Sequence, residues 1–167
     1  GNNSAASGGY STALGYGTTA QVSFTTAIGG ANANGTNLTV IGKGSTASAS
    51  SWYDDAISNS TAIGGAHVSA SDAAAIGSNA TVNGQYGVAL GHNSNVSYAS
   101  TGVGEGTKAS NTGTAVGYGA QSSGPQSVAV GAGSMATGQN AVSLGGGGAW
   151  GDYSIALGSG AGTTAHA

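Results

Sequence analysis

A pentapeptide of the form small-x-Ala-(Ile/Leu/Val)-Gly returns along this chain at an almost constant interval, and no other feature limits its fold so severely. It reads Ser11-Thr-Ala-Leu-Gly15, Thr25-Thr-Ala-Ile-Gly29, Ser60-Thr-Ala-Ile-Gly64, Ala73-Ala-Ala-Ile-Gly77, Gly87-Val-Ala-Leu-Gly91, Gly113-Thr-Ala-Val-Gly117, Ser127-Val-Ala-Val-Gly131 and Ser154-Ile-Ala-Leu-Gly158. Looser copies close at Gly42, Gly104 and Gly145, and the eleven closing glycines are 14, 13, 22, 13, 14, 13, 13, 14, 14 and 13 residues apart. So short a period means one structural unit stacked on copies of itself, with function carried by a surface and not by a pocket.

Small and larger residues alternate within the motif, which is the period of a strand. A glycine in every half-repeat, at roughly 1 kcal/mol each against alanine, further disfavours helix. About 14 residues hold two short strands and two tight turns. The motif is the first strand, and the second follows the closing glycine, with a small or β-branched residue about five places on: Ala20, Ala47, Val82, Val96, Ala109, Ser122 and Ala136. Stacked rungs of this kind form an all-β parallel β-roll, a rod of eleven rungs about 50 Å long at about 4.8 Å per rung. The closing glycines are expected where a side chain would forbid the backbone conformation or a close approach.

Composition excludes several partners. Val, Ile, Leu and Phe number only 23 of 167, yet seven charged side chains and a net charge of −3 are not the charge-driven pattern of disorder. With 34 glycines and few large residues the interior must be narrow. Lys43 and Lys108, its two basic residues, cannot neutralise a phosphate backbone, so nucleic acid is not a partner. Absence of cysteine removes disulfides and thiolate metal sites. No run of about 18 apolar residues is present, so this stretch does not itself insert into a membrane. The repeat is under way by residue 11 and still running at 158, the expectation for a piece of a longer array.

Both faces of the first strand are apolar, so both should be covered. One carries Leu14, Ile28, Ile41, Ile63, Ile76, Leu90, Val103, Val116, Val130, Leu144 and Leu157; the other carries Ala13, Ala27, Ala62, Ala75, Ala89, Ala115, Ala129 and Ala156. The larger series is assigned to the core of each roll. The alanines are assigned to contacts with neighbouring chains, where small side chains permit close approach. Thr12, Thr26, Thr39, Thr61, Thr101 and Thr114 share the larger residues' side and are read as interior.

Asn59-Ser-Thr-Ala-Ile-Gly64 and Gln126-Ser-Val-Ala-Val-Gly131 carry a family likeness. Over about residues 7 to 163 the chain resembles the YadA-like head domains of trimeric autotransporter adhesins, with their Asn-Ser-Val-Ala-Ile-Gly repeat. That resemblance implies a left-handed parallel β-roll in a homotrimer, on a bacterial cell surface. It also implies outer-membrane anchoring through regions absent here, and attachment to a host extracellular-matrix or cell-surface protein, or to other heads. Departures lie at Leu38-Thr-Val-Ile-Gly42, at Ser100-Thr-Gly-Val-Gly104 and in the 22-residue interval.

The whole of 1–167 reads as head repeats, with an insertion near 48–59 and an irregular rung near 145–153. Around the insertion, Trp52, Tyr53, Asp54 and Asp55 are either a projecting contact loop or a loop folded over the roll. Trp150, Asp152 and Tyr153 form a second candidate with the same two readings. Tyr10, Tyr86 and Tyr153 lie five residues before a closing glycine, where Asn59, Asp72, Gln126 and Asn140 sit in other rungs; shared register predicts a shared turn on one edge. His67, His92 and His166 are too dispersed for a metal site, and no cofactor is expected.

Adjacent Asp54 and Asp55 would point opposite ways, and five scattered acids do not make the cleft of a polysaccharide lyase or hydrolase, so the chain is not read as an enzyme. Two non-catalytic alternatives stand beside adhesion. One is an ice-binding solenoid, which would need an unbroken threonine column, whereas Ala74, Val88, Val128, Val142 and Ile155 interrupt it. The other is a spacer or self-association module of a surface fibre.

Overall fold

A computed structural model describes residues 1–48 and 57–164. Every described strand pairs in parallel with the equivalent strand one rung away, giving an 11-stranded and a 12-stranded sheet and no helix. The 11-stranded sheet holds the motif strands, such as Thr26–Ile28, Thr61–Ile63 and Val88–Leu90. We call it the motif sheet. The other, the return sheet, holds the short strands after the closing glycines, such as Thr19–Ala20, Asn95–Val96 and Lys108–Ala109. The chain is thus a parallel β-solenoid with two strands per rung, as the period predicted.

Register is kept throughout. Ala75 pairs with Ala62 on one side and Ala89 on the other, and Ile76 pairs with Ile63 and Leu90. The long interval does not disturb it: Thr39, Val40 and Ile41 pair directly with Thr61, Ala62 and Ile63. On the return sheet, Ala47 pairs with Val68. The extra residues fall between Ala47 and Ser60, and the described stretch from Ile57 is pinned. Ile57 is buried, Thr36 N–H donates to its carbonyl at 2.9 Å, and Thr36 bridges in parallel to Ser58. A Cβ at Gly35 would lie 2.9 Å from Ile57 Cγ1 and 3.0 Å from Leu38 Cδ1, so the glycine makes room for the anchor.

The packing of the motif strand reverses the expected one. Ala27, Ala62, Ala75, Ala89, Ala115, Ala129 and Ala156 are all buried inside their own roll, and Ala13, in the first rung, is half-buried against the same core. They are therefore not a surface for neighbouring chains. The larger series faces out: Leu14, Ile76, Val130, Leu144 and Leu157 are exposed, while Ile28, Ile41, Ile63, Leu90, Val103 and Val116 are half-exposed. They are not the roll core. The threonines at 12, 26, 39, 61, 101 and 114 share that outer face and are likewise not interior.

The physical reason is the width of the roll. Turns of a few residues hold the two sheets so close that facing positions accept only small side chains. Ala20, Ala47, Val82, Val96, Ser122 and Ala136 of the return sheet are buried opposite the alanines. Where one side grows, the other shrinks: a Cβ at Gly102 would stand 2.8 Å from Val96 Cγ2, and one at Gly87 would stand 2.5 Å from Val82 Cγ1. This is close packing of complementary volumes with no slack for a leucine.

Hydroxyls inside this narrow core bond to backbone. Ser60 Oγ–H donates to the Ala70 carbonyl at 2.9 Å, Ser45 Oγ–H to that of Ile41 at 2.7 Å, and Ser143 Oγ–H to that of Gly147 at 2.6 Å. Ser45 and Ser134 also accept N–H bonds at 2.9 Å from Gly65 and Gly146 in the next rung. Serine and threonine can fill a core this thin because backbone lies within reach of their oxygens, Thr163 Oγ1 in the last rung being the exception among the described residues.

Candidate functional site

Such a rod offers two outer faces and two edges, and the four differ in chemistry. On the outer face of the motif sheet the larger residues form one column and Thr, Val, Ala and Ile a second beside it, each continued rung by rung through the strand pairing. Within the stack Ile76 is 42 % and Leu144 38 % exposed, which is the apolar surface a single chain leaves uncovered at an inner rung. Soluble monomers seldom leave a continuous stripe of this kind bare.

The outer face of the return sheet is polar over its middle, carrying Thr19, Asn32, Thr46, His67, Thr81, Asn95, Lys108 and Gln121 in one column that Met135, Gly148 and Gly162 continue. Side chains bond along it: Thr19 Oγ1–H donates to Asn32 Oδ1 at 3.0 Å, and Thr46 Oγ1 lies 2.8 Å from His67 Nδ1.

One edge, the glycine edge, begins at each closing glycine. All eleven of these have positive φ, from 77° at Gly29 to 134° at Gly91. A Cβ at Gly91 would collide with the carbonyl oxygen of Gly104 in the next rung, so conformation and close approach both demand glycine there. One or two residues later this edge turns again through a left-handed residue, which is Gly or Asn every time: Gly17, Gly30, Gly44, Gly65, Asn79, Asn93, Gly106, Gly119, Gly133, Gly146 and Gly160.

The other edge, the loop edge, bears out the shared turn predicted from register. Each residue five before a closing glycine is left-handed, with φ between 48° and 62°: Tyr10, Phe24, Asn37, Asn59, Asp72, Tyr86, Ala99, Thr112, Gln126, Asn140 and Tyr153. Four of these eleven are aromatic. Tyr10 and Phe24 stack with centroids 5.2 Å apart and planes 8° apart, while Tyr86 meets Tyr98 edge-on at 6.3 Å. Amides link other rungs, with Asn37 Nδ2–H donating to Asn59 Oδ1 at 3.2 Å and Asn59 Nδ2–H to Asp72 Oδ1 at 3.0 Å.

The site residues singled out from sequence fall as follows. Trp52, Tyr53, Asp54 and Asp55 lie outside the described residues, but both ends of their loop leave from the loop edge. Trp150 lies on the return sheet, its ring over Gly148 of its own rung and Gly162 of the next; a Cβ at Gly162 would be 2.8 Å from the indole Cζ3. The glycines around it are its seat. Asp152 Oδ1 accepts the Gln139 N–H at 2.9 Å, and Tyr153 stands exposed at the turn, so the three occupy two surfaces. His67 lies on the return sheet and His92 on the glycine edge two rungs on, His92 Nδ1 lying 3.6 Å from Glu105 Oε1, and His166 lies outside the described residues. Among the described residues no three of His, Cys, Asp and Glu gather as metal ligands.

Sequence reasoning missed a shallow polar groove on the return sheet, of about 250 Å³, lined by side chains that include Asn95, Lys108 and Gln121. Its signal lay in the rung lengths. From Val96 to Ser100 and from Ala109 to Gly113 the loop-edge turn takes one residue fewer than in the other described rungs.

Comparison with known families gives one result. The model of the YadA head domain repeat (2 copies) matches residues 1–18, 6–32, 69–94, 111–134 and 148–161, together more than half of the chain. The unmatched stretches are 33–68, which contains the insertion, 95–110, which contains the first shortened turn, 135–147 and 162–167. No curated protein matches the chain.

Proposed function

This chain belongs to the YadA head family, and from that premise we propose that it is a non-catalytic, multivalent adhesive head. Three copies join through the outer face of the motif sheet, and the assembly is held at a bacterial surface by other parts of its parent protein. The observation that carries this reading is the stripe of Ile, Leu and Val on the outer face of the motif sheet, exposed or half-exposed at every rung from Leu14 to Leu157. A second roll covering it would remove apolar surface at about 25 cal/mol per Å². Closed three-fold association buries that stripe on every copy and leaves the polar return sheet, the loop edge and the insertion facing outward.

The left-handed winding belongs to the same proposal, drawn from family membership. Adhesion then works by number: three identical outward surfaces per head, and many heads per cell, turn weak contacts into lasting attachment. The partner class is a host extracellular-matrix or cell-surface component, and the insertion with Trp52, Tyr53, Asp54 and Asp55 is its first candidate contact. Equilibrium sedimentation of the chain tests the assembly, the expected mass being three times 15.5 kDa. A stable, folded monomer at micromolar concentration contradicts it. Binding to a panel of matrix proteins, with and without residues 50–56, tests the loop; unchanged binding removes it.

A further inference from the structure

The polar groove on the return sheet has features that the repeat does not require. It crosses three successive rungs, with Asn95, Lys108 and Gln121 along its middle and Ser97, Ser110 and Ser123 toward the loop edge. Two of the rungs it crosses are one residue shorter at that edge than the other described rungs. Asn111 Nδ2–H donates to the Ser123 carbonyl at 3.0 Å and fixes the rim. Tyr98 follows Ser97 in the chain; it is exposed on the loop edge and set against Tyr86 with planes 75° apart.

Charge in the recess has one sign. Lys108 is the cation, no acidic residue lines the groove, and Glu105 lies on the opposite edge beside His92. Among the described residues Lys108 makes no salt bridge. Hydroxyl and amide groups, one ammonium and an exposed phenol plane suit a ligand with many hydroxyls, an anionic group and a flat C–H face.

We propose that this groove binds one unit of an anionic saccharide. Its hydroxyls would bond to Asn95, Ser97, Ser110, Gln121 and Ser123, its carboxylate or sulfate to Lys108, and an apolar ring face would rest on Tyr98. The site needs the return sheet to face solvent, and so rests on the assembly proposed above. Three such sites per head would compensate for a weak single contact.

The test titrates the intact chain with short oligosaccharides of one backbone in neutral, carboxylated and sulfated forms, while sedimentation records the mass of the same sample. Saturable binding of one or both anionic forms in the millimolar range or tighter, with neutral sugar at least about tenfold weaker, supports the site. Lys108→Gln should weaken binding about tenfold and Tyr98→Ala several-fold, whereas Lys43→Gln, on the glycine edge, should change it less than about twofold. Absence of saturable binding up to about 20 mM overturns the proposal, as does equal affinity for the neutral form or indifference to Lys108→Gln. A monomeric sample that still binds would overturn the assembly and leave the saccharide site standing. A trimer that does not bind would do the reverse.

Discussion

The two edges of this roll make the same reversal of chain direction under opposite rules. On the glycine edge the closing residue is always glycine and the next left-handed residue is always Gly or Asn. Its length varies by a single residue, where Gly-Gly pairs such as Gly64-Gly65 tighten the turn. On the loop edge the left-handed position admits Tyr, Phe, Asp, Ala, Thr and Gln, although this conformation costs an ordinary L-residue about 1–2 kcal/mol. That edge also takes the insertion and the two shortened turns. Closing glycines such as Gly77, Gly91 and Gly104 press against the next rung's backbone, so a side chain at those positions would move the stack. Loop-edge side chains project into solvent, and the sheets hold register around them. One edge keeps the backbone period and the other takes the changes in length, while both present side chains that vary from rung to rung, Tyr16, Lys43 and Tyr118 on the glycine edge among them.

Substitutions at the two edges can break this contrast. Gly91→Val places a side chain at φ 134° and against the next rung's carbonyl, and should cost more than about 3 kcal/mol, read as a collapse of the thermal transition. Ile57→Ala, emptying the buried anchor of the insertion, should cost about 2–4 kcal/mol by chemical denaturation; a negligible change would mean that the loop is held elsewhere. Removing residues 50–56 should cost no more than about 1 kcal/mol, because the flanking strands pair without them. Smallest is Thr112→Gly, which relieves a β-branched residue at φ 62° and should stabilise by about 0.5–1 kcal/mol, measured as a raised Tm. If Thr112→Gly destabilises as much as Gly91→Val, the edges are not different in kind.

Much of the architecture was legible before any coordinates. The interval between closing glycines gave the two-strand rung, the register of Tyr10, Asn59 and Tyr153 gave the turn, and the one long interval located the insertion. Which face of the motif strand turns inward was not legible from alternation, since alternation only separates two apolar columns. The missing signal lay in the partner strand: Ala20, Ala47, Ser122 and Ala136 are small, and a column of leucines facing them would need a wider roll than the turns permit. Lys108 and Tyr98 gave no sign of a site because a 13-residue interval does not say which of its two turns lost a residue. Only the return-strand register, which pairs Asn95 with Lys108 and Lys108 with Gln121, assigns the loss to the loop edge.

Neighbouring residues of one strand, Ala89 and Leu90, decide the central claim, because the roll gives them opposite surroundings. Sedimentation paired with far-ultraviolet circular dichroism on Ala89→Asp and Leu90→Asp separates folding from assembly. Leu90→Asp should keep its β signal and lose its partners, while Ala89→Asp should lose the β signal itself. The opposite pattern, with Ala89→Asp folded but dissociated and Leu90→Asp unfolded, would mean that the alanines face neighbouring chains after all.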